Sequence, residues 1–127
     1  MTSKVRFEEN AVLGDEELQA SLKSVSPRWG DLCVRTAGEV WGLPIIPQKT
    51  KALIAVAIDV VTCNVGATSP LDVHVRMALK QGATLDELEE LLLFLSIYAG
   101  FNKVASALAI LKRVDDSGEA RSGDPPR

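Results

Sequence analysis

Residues 52–61 (ALIAVAIDVV) are apolar at every position except Asp59. A stretch of that length and composition, entered from near Pro47 and left near Asn64, reads as a helix buried on most of its sides. A carboxylate in such a helix must reach solvent, find a partner, or cost several kcal/mol to bury. Any fold for this chain has to answer for Asp59.

The next segment supplies a candidate partner. Ser69-Pro70-Leu71-Asp72 has the form of a helix start, with Ser69 at the N-cap, Pro70 at the first helical position and Asp72 completing a capping box. That start sets the helical phase. Leu71, Val75, Ala78 and Leu79 form the inward stripe, and His74, the only histidine in the chain, lies within it. Gly82 ends the helix from the C′ position. His74 therefore points to the core side and faces something.

The remaining segments are helical as well. After a polar lead-in over residues 1–14, Asp15 caps a short helix to about Ser24 with Leu18 and Leu22 inward. Pro27 opens an amphipathic helix in which Trp29, Leu32, Cys33, Thr36, Ala37, Val40 and Trp41 make the apolar stripe. Gly42, Pro44 and Pro47 stop it and stiffen the connector. Thr84-Leu85-Asp86-Glu87 is a second capping box, and Leu85, Leu88, Leu91, Leu92 and Leu95 continue the apolar stripe behind it.

From 91 to 101 this helix is apolar all round except for Ser96 and the Tyr98 hydroxyl. A chain of 127 residues cannot cover every face of such a helix, so a subunit contact is expected there. Gly100 marks a break before a last helix to about Val114. Residues 115–127 hold no apolar side chain larger than alanine and are expected to be a disordered tail. No segment alternates with period two. The expectation is an all-α bundle of about six helices in one domain over residues 1–114.

Composition closes several functional classes. Fourteen Lys and Arg against seventeen Asp and Glu give a net charge of −3 with no basic stripe, which argues against nucleic acid. The longest apolar runs are too short to span a bilayer, and no signal-peptide pattern opens the chain, so a cytoplasmic protein with no membrane partner is expected. Cys33 and Cys63 have neither disulfide nor metal spacing, and one histidine does not make a zinc site. There is no glycine-rich phosphate loop and no hydrolase elbow. With no metal or cofactor motif, the chemistry open to this chain is cofactor-free acid–base work on a small molecule.

His74 suits a group exchanging one proton near neutral pH, against the plainer reading of a core histidine satisfied by a backbone carbonyl. Asp59 suits a carboxylate that orients His74 or exchanges a proton itself, against a solvated position on a buried helix. Glu39, in the segment Gly38-Glu39-Val40-Trp41-Gly42, is a second orienting or proton-transfer candidate, or simply a surface glutamate. Arg76, Trp41 and Leu43 are candidate substrate contacts, set against a surface arginine and packing side chains.

The order of these pieces resembles the carboxymuconolactone decarboxylase family, within the wider alkylhydroperoxidase-D-like fold. The residues that carry the resemblance are Gly38-Glu39-Val40-Trp41, then Lys49-Thr50-Lys51-Ala52-Leu53-Ile54, then His74-Val75-Arg76-Met77-Ala78-Leu79. Gly82-Ala83-Thr84 with Glu87 and Glu90, and Ile97-Tyr98-Ala99-Gly100, complete it over residues 28–112. The family implies helical subunits assembled into trimeric or hexameric rings, with active sites near subunit contacts. Its name-giving enzyme converts 4-carboxymuconolactone to an enol-lactone with loss of CO2.

Three departures stand beside that resemblance. The thiol branch of the superfamily places a Cys-x-x-Cys pair seven and four residues before the histidine, where this chain has Ala67 and Pro70. Pro70 also occupies the place of an acidic residue usual in the decarboxylases. The connector Leu43-Pro44-Ile45-Ile46 is apolar where theirs is often basic. The leading expectation is a cofactor-independent lyase acting on a lactone or related carbonyl acid. A non-enzymatic helical oligomer binding a small apolar acid is the second, and a thiol-peroxidase-like protein, disfavoured by the missing pair, is the third.

Overall fold

The structure, a computed structural model, describes residues 9–62, 64, 65 and 69–117. Every regular element among them is a helix: α1 (Glu16–Val25), α2 (Pro27–Trp41), α3 (Gln48–Val61), α4 (Pro70–Lys80), α5 (Leu85–Ala99) and α6 (Phe101–Asp116). None is long and apolar enough to cross a membrane. The chain divides into two compact units, one ending at Lys51 and the other beginning at Ala52.

In the first unit, Asp15 caps α1 by accepting from the Leu18 amide at 2.9 Å. Ser26 accepts from the Trp29 amide at 3.3 Å and Pro27 takes the first helical position of α2. The buried face of α2 differs from the expected stripe. Trp29, Leu32 and Val40 are about half exposed, and the buried residues are Gly30, Val34 and Gly38. Glycine spacing explains the difference. A Cβ on Gly30 would lie 2.5 Å from the Lys23 Cα, and one on Gly38 would lie 2.5 Å from a Leu13 methyl. The α1 backbone lies against the small-residue edge of α2, and the bulky edge faces outward.

Residues 9–14, the described part of the lead-in, are more ordered than its polar composition suggests; residues 1–8 lie outside the described residues. Asn10 accepts from the Val12 and Leu13 amides, an Asx turn, and donates to the Gly38 carbonyl at 2.9 Å. Ala11 and Val12 are buried, and the Ala11 amide donates to the Gln48 side chain at 2.8 Å. Gln48 also donates to the Trp41 carbonyl, so one buried amide joins the lead-in to the end of α2.

In the second unit, α6 packs on both α4 and α5. The largest fully buried side chains among the described residues (Leu71, Leu88, Leu92, Val56, Val60, Val75, Val104 and Val114) all belong to this unit. Burial of such a side chain stabilises by roughly 1.5–3 kcal/mol, so this cluster dominates the packing energy. On α4, Met77 is buried with Leu71, Val75 and Ala78, whereas Leu79 is only half-buried.

The ends of these helices follow their sequences unevenly. Thr84 and Glu87 form the expected capping box, with reciprocal bonds of 2.9 and 3.0 Å. Gly82 (φ 102°) ends α4: its amide donates to Leu79 and the Ala83 amide to Ala78, a complete Schellman motif. The box expected at Ser69 and Asp72 does not form. Ser69 makes no cap bond, and its buried hydroxyl has no partner among the described residues. Asp72 turns instead to two guanidinium groups, Arg76 at 2.5 Å and Arg113 at 3.4 Å. A charge-assisted bond to arginine outcompetes a backbone amide for that carboxylate. Helix α6 runs to Asp116, two residues past the expected end at Val114, and residues 118–127 of the expected tail lie outside the described residues.

Candidate active site

Asp59 answers its burial with a partner on the next helix. On α3 it lies on the buried face with Ala52, Val56 and Val60. On α4, His74 stands in the second turn, and its Nδ1 lies 2.5 Å from Asp59 Oδ2. The two side chains are unequally covered: 6% of the Asp59 side chain is exposed and 27% of His74. The carboxylate is beneath and the imidazole half-open above it.

That arrangement distinguishes the two ring nitrogens. An ionised carboxylate only accepts hydrogen bonds, so Nδ1 carries the hydrogen and donates it to Asp59. Nε2 is left outside the pair. A buried carboxylate oriented on a histidine in this way holds the ring, selects its tautomer and balances the imidazolium when it forms.

The supports of the pair are local. The Asn64 amide donates to the Asp59 carbonyl at 2.8 Å and closes the last turn of α3. Thr62 Oγ1 donates to the Ile58 carbonyl at 2.7 Å, and Lys103 of α6 donates to the Val61 carbonyl at 3.2 Å. Ile58 and Val73, the chain neighbours of Asp59 and His74, expose apolar surface to solvent.

The other sequence candidates take different positions. Arg76 is two residues from His74, about 200° round the helix, and its Nε is 2.5 Å from Asp72. The structure does not bring it to the pair. Glu39 is exposed on α2, Trp41 is half-buried, and Leu43 is 58% exposed. All three belong to the first unit. Lys51, absent from the sequence candidates, donates from Nζ to the carbonyls of Trp41 (2.7 Å) and Leu43 (2.6 Å) and ties down the connector. Asp72 was read only as a cap, yet an arginine four residues later was the available sign of an ion pair. Cys63, one of the two cysteines, lies outside the described residues.

Comparison with known proteins agrees with the resemblance in the sequence. The sequence model of the carboxymuconolactone decarboxylase family matches residues 27–113, a span that includes Asp59 and His74. A 4-carboxymuconolactone decarboxylase of Acinetobacter baylyi is 32% identical over 107 residues, covering 81% of this chain and 78% of the relative. No solved structure gives a significant match. The chain is a member of the carboxymuconolactone decarboxylase family.

Proposed function

We propose that this chain is a cofactor-independent lyase that decarboxylates a lactone or related carbonyl acid, with His74 as the general acid–base. The observation that carries the proposal is the 2.5 Å contact from a buried Asp59 to Nδ1 of a half-open His74. In the reaction, the bond from carbon to the carboxylate breaks and its electron pair passes into the substrate's own unsaturated lactone. CO2 leaves, and the resulting dienolate takes a proton on carbon from His74 Nε2. The imidazole regains that proton from solvent. The substrate supplies the electron sink, so the protein's share is to stabilise the dienolate and deliver the proton. Asp59 orients the ring and balances the charge it carries between steps.

The name of the Acinetobacter relative makes 4-carboxymuconolactone the first substrate to test. In a stopped assay of CO2 release, His74→Ala should lose roughly 10²–10⁴-fold in kcat, the usual share of a positioned proton-transfer group. Full turnover by a folded His74→Ala protein would remove the assignment. A closed, dry space around His74 with no carboxylate within hydrogen-bond reach would favour a binding protein without chemistry; Asp59 within reach supports the lyase reading instead.

The proposal extends to assembly. Leu93, Phe94, Ile97, Tyr98 and Phe101 form an exposed apolar surface over the end of α5 and the start of α6. A homo-oligomer of at least three subunits, joined through this surface, is the state in which it is covered.

A further inference from the structure

Helix α4 carries His74 but begins without a side-chain cap, since neither Ser69 nor Asp72 bonds back to its first turn. Two polar ties run from it to neighbouring helices. His74 reaches Asp59 on α3, and Asp72 reaches Arg113 on α6 with its Oδ2 at 3.4 Å from the guanidinium. Asp72 and His74 are two residues apart, so the ties leave the helix about 200° from each other. Arg76 bonds to the other oxygen of Asp72 and so turns the carboxylate.

Leu71, Val75 and Ala78 set how deeply α4 sits. Apolar contact is non-directional and tolerates a small rotation of the helix, whereas a hydrogen bond weakens steeply with angle. The two ties add directional restraints on the rotation of α4 from opposed sides.

We propose that Arg113 is a positioning residue for His74: by holding Asp72 it fixes the rotation of α4 and so the aim of the imidazole. The inference rests on His74 being the proton-transfer residue. Arg113 touches no reacting atom in this account. Its side chain is 47% exposed and that of Asp72 is 21% exposed, so the tie is open to screening by salt. That makes the aim of His74 sensitive to ionic strength.

The experiment uses the full chain and two readouts. The first is the proton resonance of His74 Nδ1–H, which reports the bond to Asp59 whether or not any substrate is turned over. The second is kcat and KM on 4-carboxymuconolactone. In Arg113→Ala the resonance should move upfield and kcat should fall roughly two- to fivefold at unchanged KM, the scale of a half-exposed ion pair. Asp72→Asn should do the same, and the double variant should be no worse than either single one. Lys112→Ala, which removes an exposed pair with Asp116 on the same helix, should change neither readout. At 1 M salt, where the screening length is about 3 Å, wild type should approach Arg113→Ala. An unchanged resonance in Arg113→Ala, even with a lowered melting temperature, would make Arg113 a brace between helices and overturn the inference. Absence of turnover in every protein, wild type included, would count against the lyase reading and leave the resonance to decide on Arg113.

Discussion

Asp59 and His74 are fifteen residues apart in the chain and 2.5 Å apart in the fold. The deeper partner is the carboxylate and the more open one is the imidazole. Reversed, the same bond would bury a histidine beneath a surface acid and leave no ring nitrogen available outside. With Asp59 beneath, Nδ1 is occupied, and the proposed mechanism assigns proton transfer to Nε2.

Asp59→Asn tests that order of roles. The amide is the same size, so packing is kept, but an amide can present a donor to Nδ1 and allow the wrong tautomer. Activity should fall on the order of 10²–10⁴-fold. The melting temperature should hold or rise, because a buried charge is replaced by a neutral group. A variant with unimpaired turnover would reduce Asp59 to a structural partner of His74.

The parts of this fold visible in the sequence are those with a local cause. Thr84 and Glu87 need only each other, and Gly82 needs only its own φ, so both helix ends could be read directly. Asp59 stood out as one charge in ten residues, and His74 as the only histidine on an inward stripe. The misread positions are those decided by a distant competitor. Asp72 fits a capping box until Arg76 and Arg113 bid for it, and Arg113 lies 41 residues away. The stripe on α2 was scored by bulk, yet Gly30 and Gly38 let another backbone or side chain come closer than any bulky edge could. The end of the lead-in is held at Ala11 by Gln48, 37 residues further on, which no local periodicity reports.

Gly30 and Gly82 make a matched pair of stability tests with different causes. At Gly30 the added methyl of alanine would meet the Lys23 backbone at 2.5 Å. A backbone atom cannot swing aside, so α1 must shift. Overpacking of this kind costs about 1–3 kcal/mol, more than the ~1 kcal/mol that alanine gains over glycine inside a helix. Gly30→Ala should therefore lower stability in urea denaturation despite its better helix propensity. A net gain would mean that α1 moves away at no cost.

At Gly82 nothing lies within 4 Å of the added carbon, so crowding has no part in the outcome. The cost comes from φ of 102° alone. Gly82→Ala should destabilise by about 1–2 kcal/mol, with Gly82→Asn between the two because asparagine tolerates positive φ better. Equal stability of all three would show that α4 ends differently in solution.

The capping box at α5 gives a smaller, separable effect. Thr84→Ala removes the acceptor of the Glu87 amide and should cost about 1 kcal/mol. Thr84→Ser keeps the hydroxyl and should recover most of that loss.

The last prediction concerns the outer face of α5. Leu93, Phe94 and Ile97, with Tyr98 and Phe101, are all more than half exposed, and the Phe94 and Tyr98 rings meet at a tilt with centroids 5.3 Å apart. On the opposite side of the helix Leu88, Leu92 and Leu95 are buried, so fold stability does not depend on the outer residues. Five neighbouring large apolar side chains facing water are costly for a free subunit, and burying each against another subunit returns about 1.5–3 kcal/mol. A glutamate in the middle of that surface would have to be desolvated without a partner, which costs several kcal/mol per contact. Phe94→Glu should therefore shift sedimentation from an oligomer of three or more subunits toward monomer, while far-UV circular dichroism keeps its helical signal. Thr84→Ala, at the far end of the same helix, should lower stability without changing the assembly at concentrations where the protein is folded. Wild-type protein sedimenting as a monomer at micromolar concentration would refute the assembly outright.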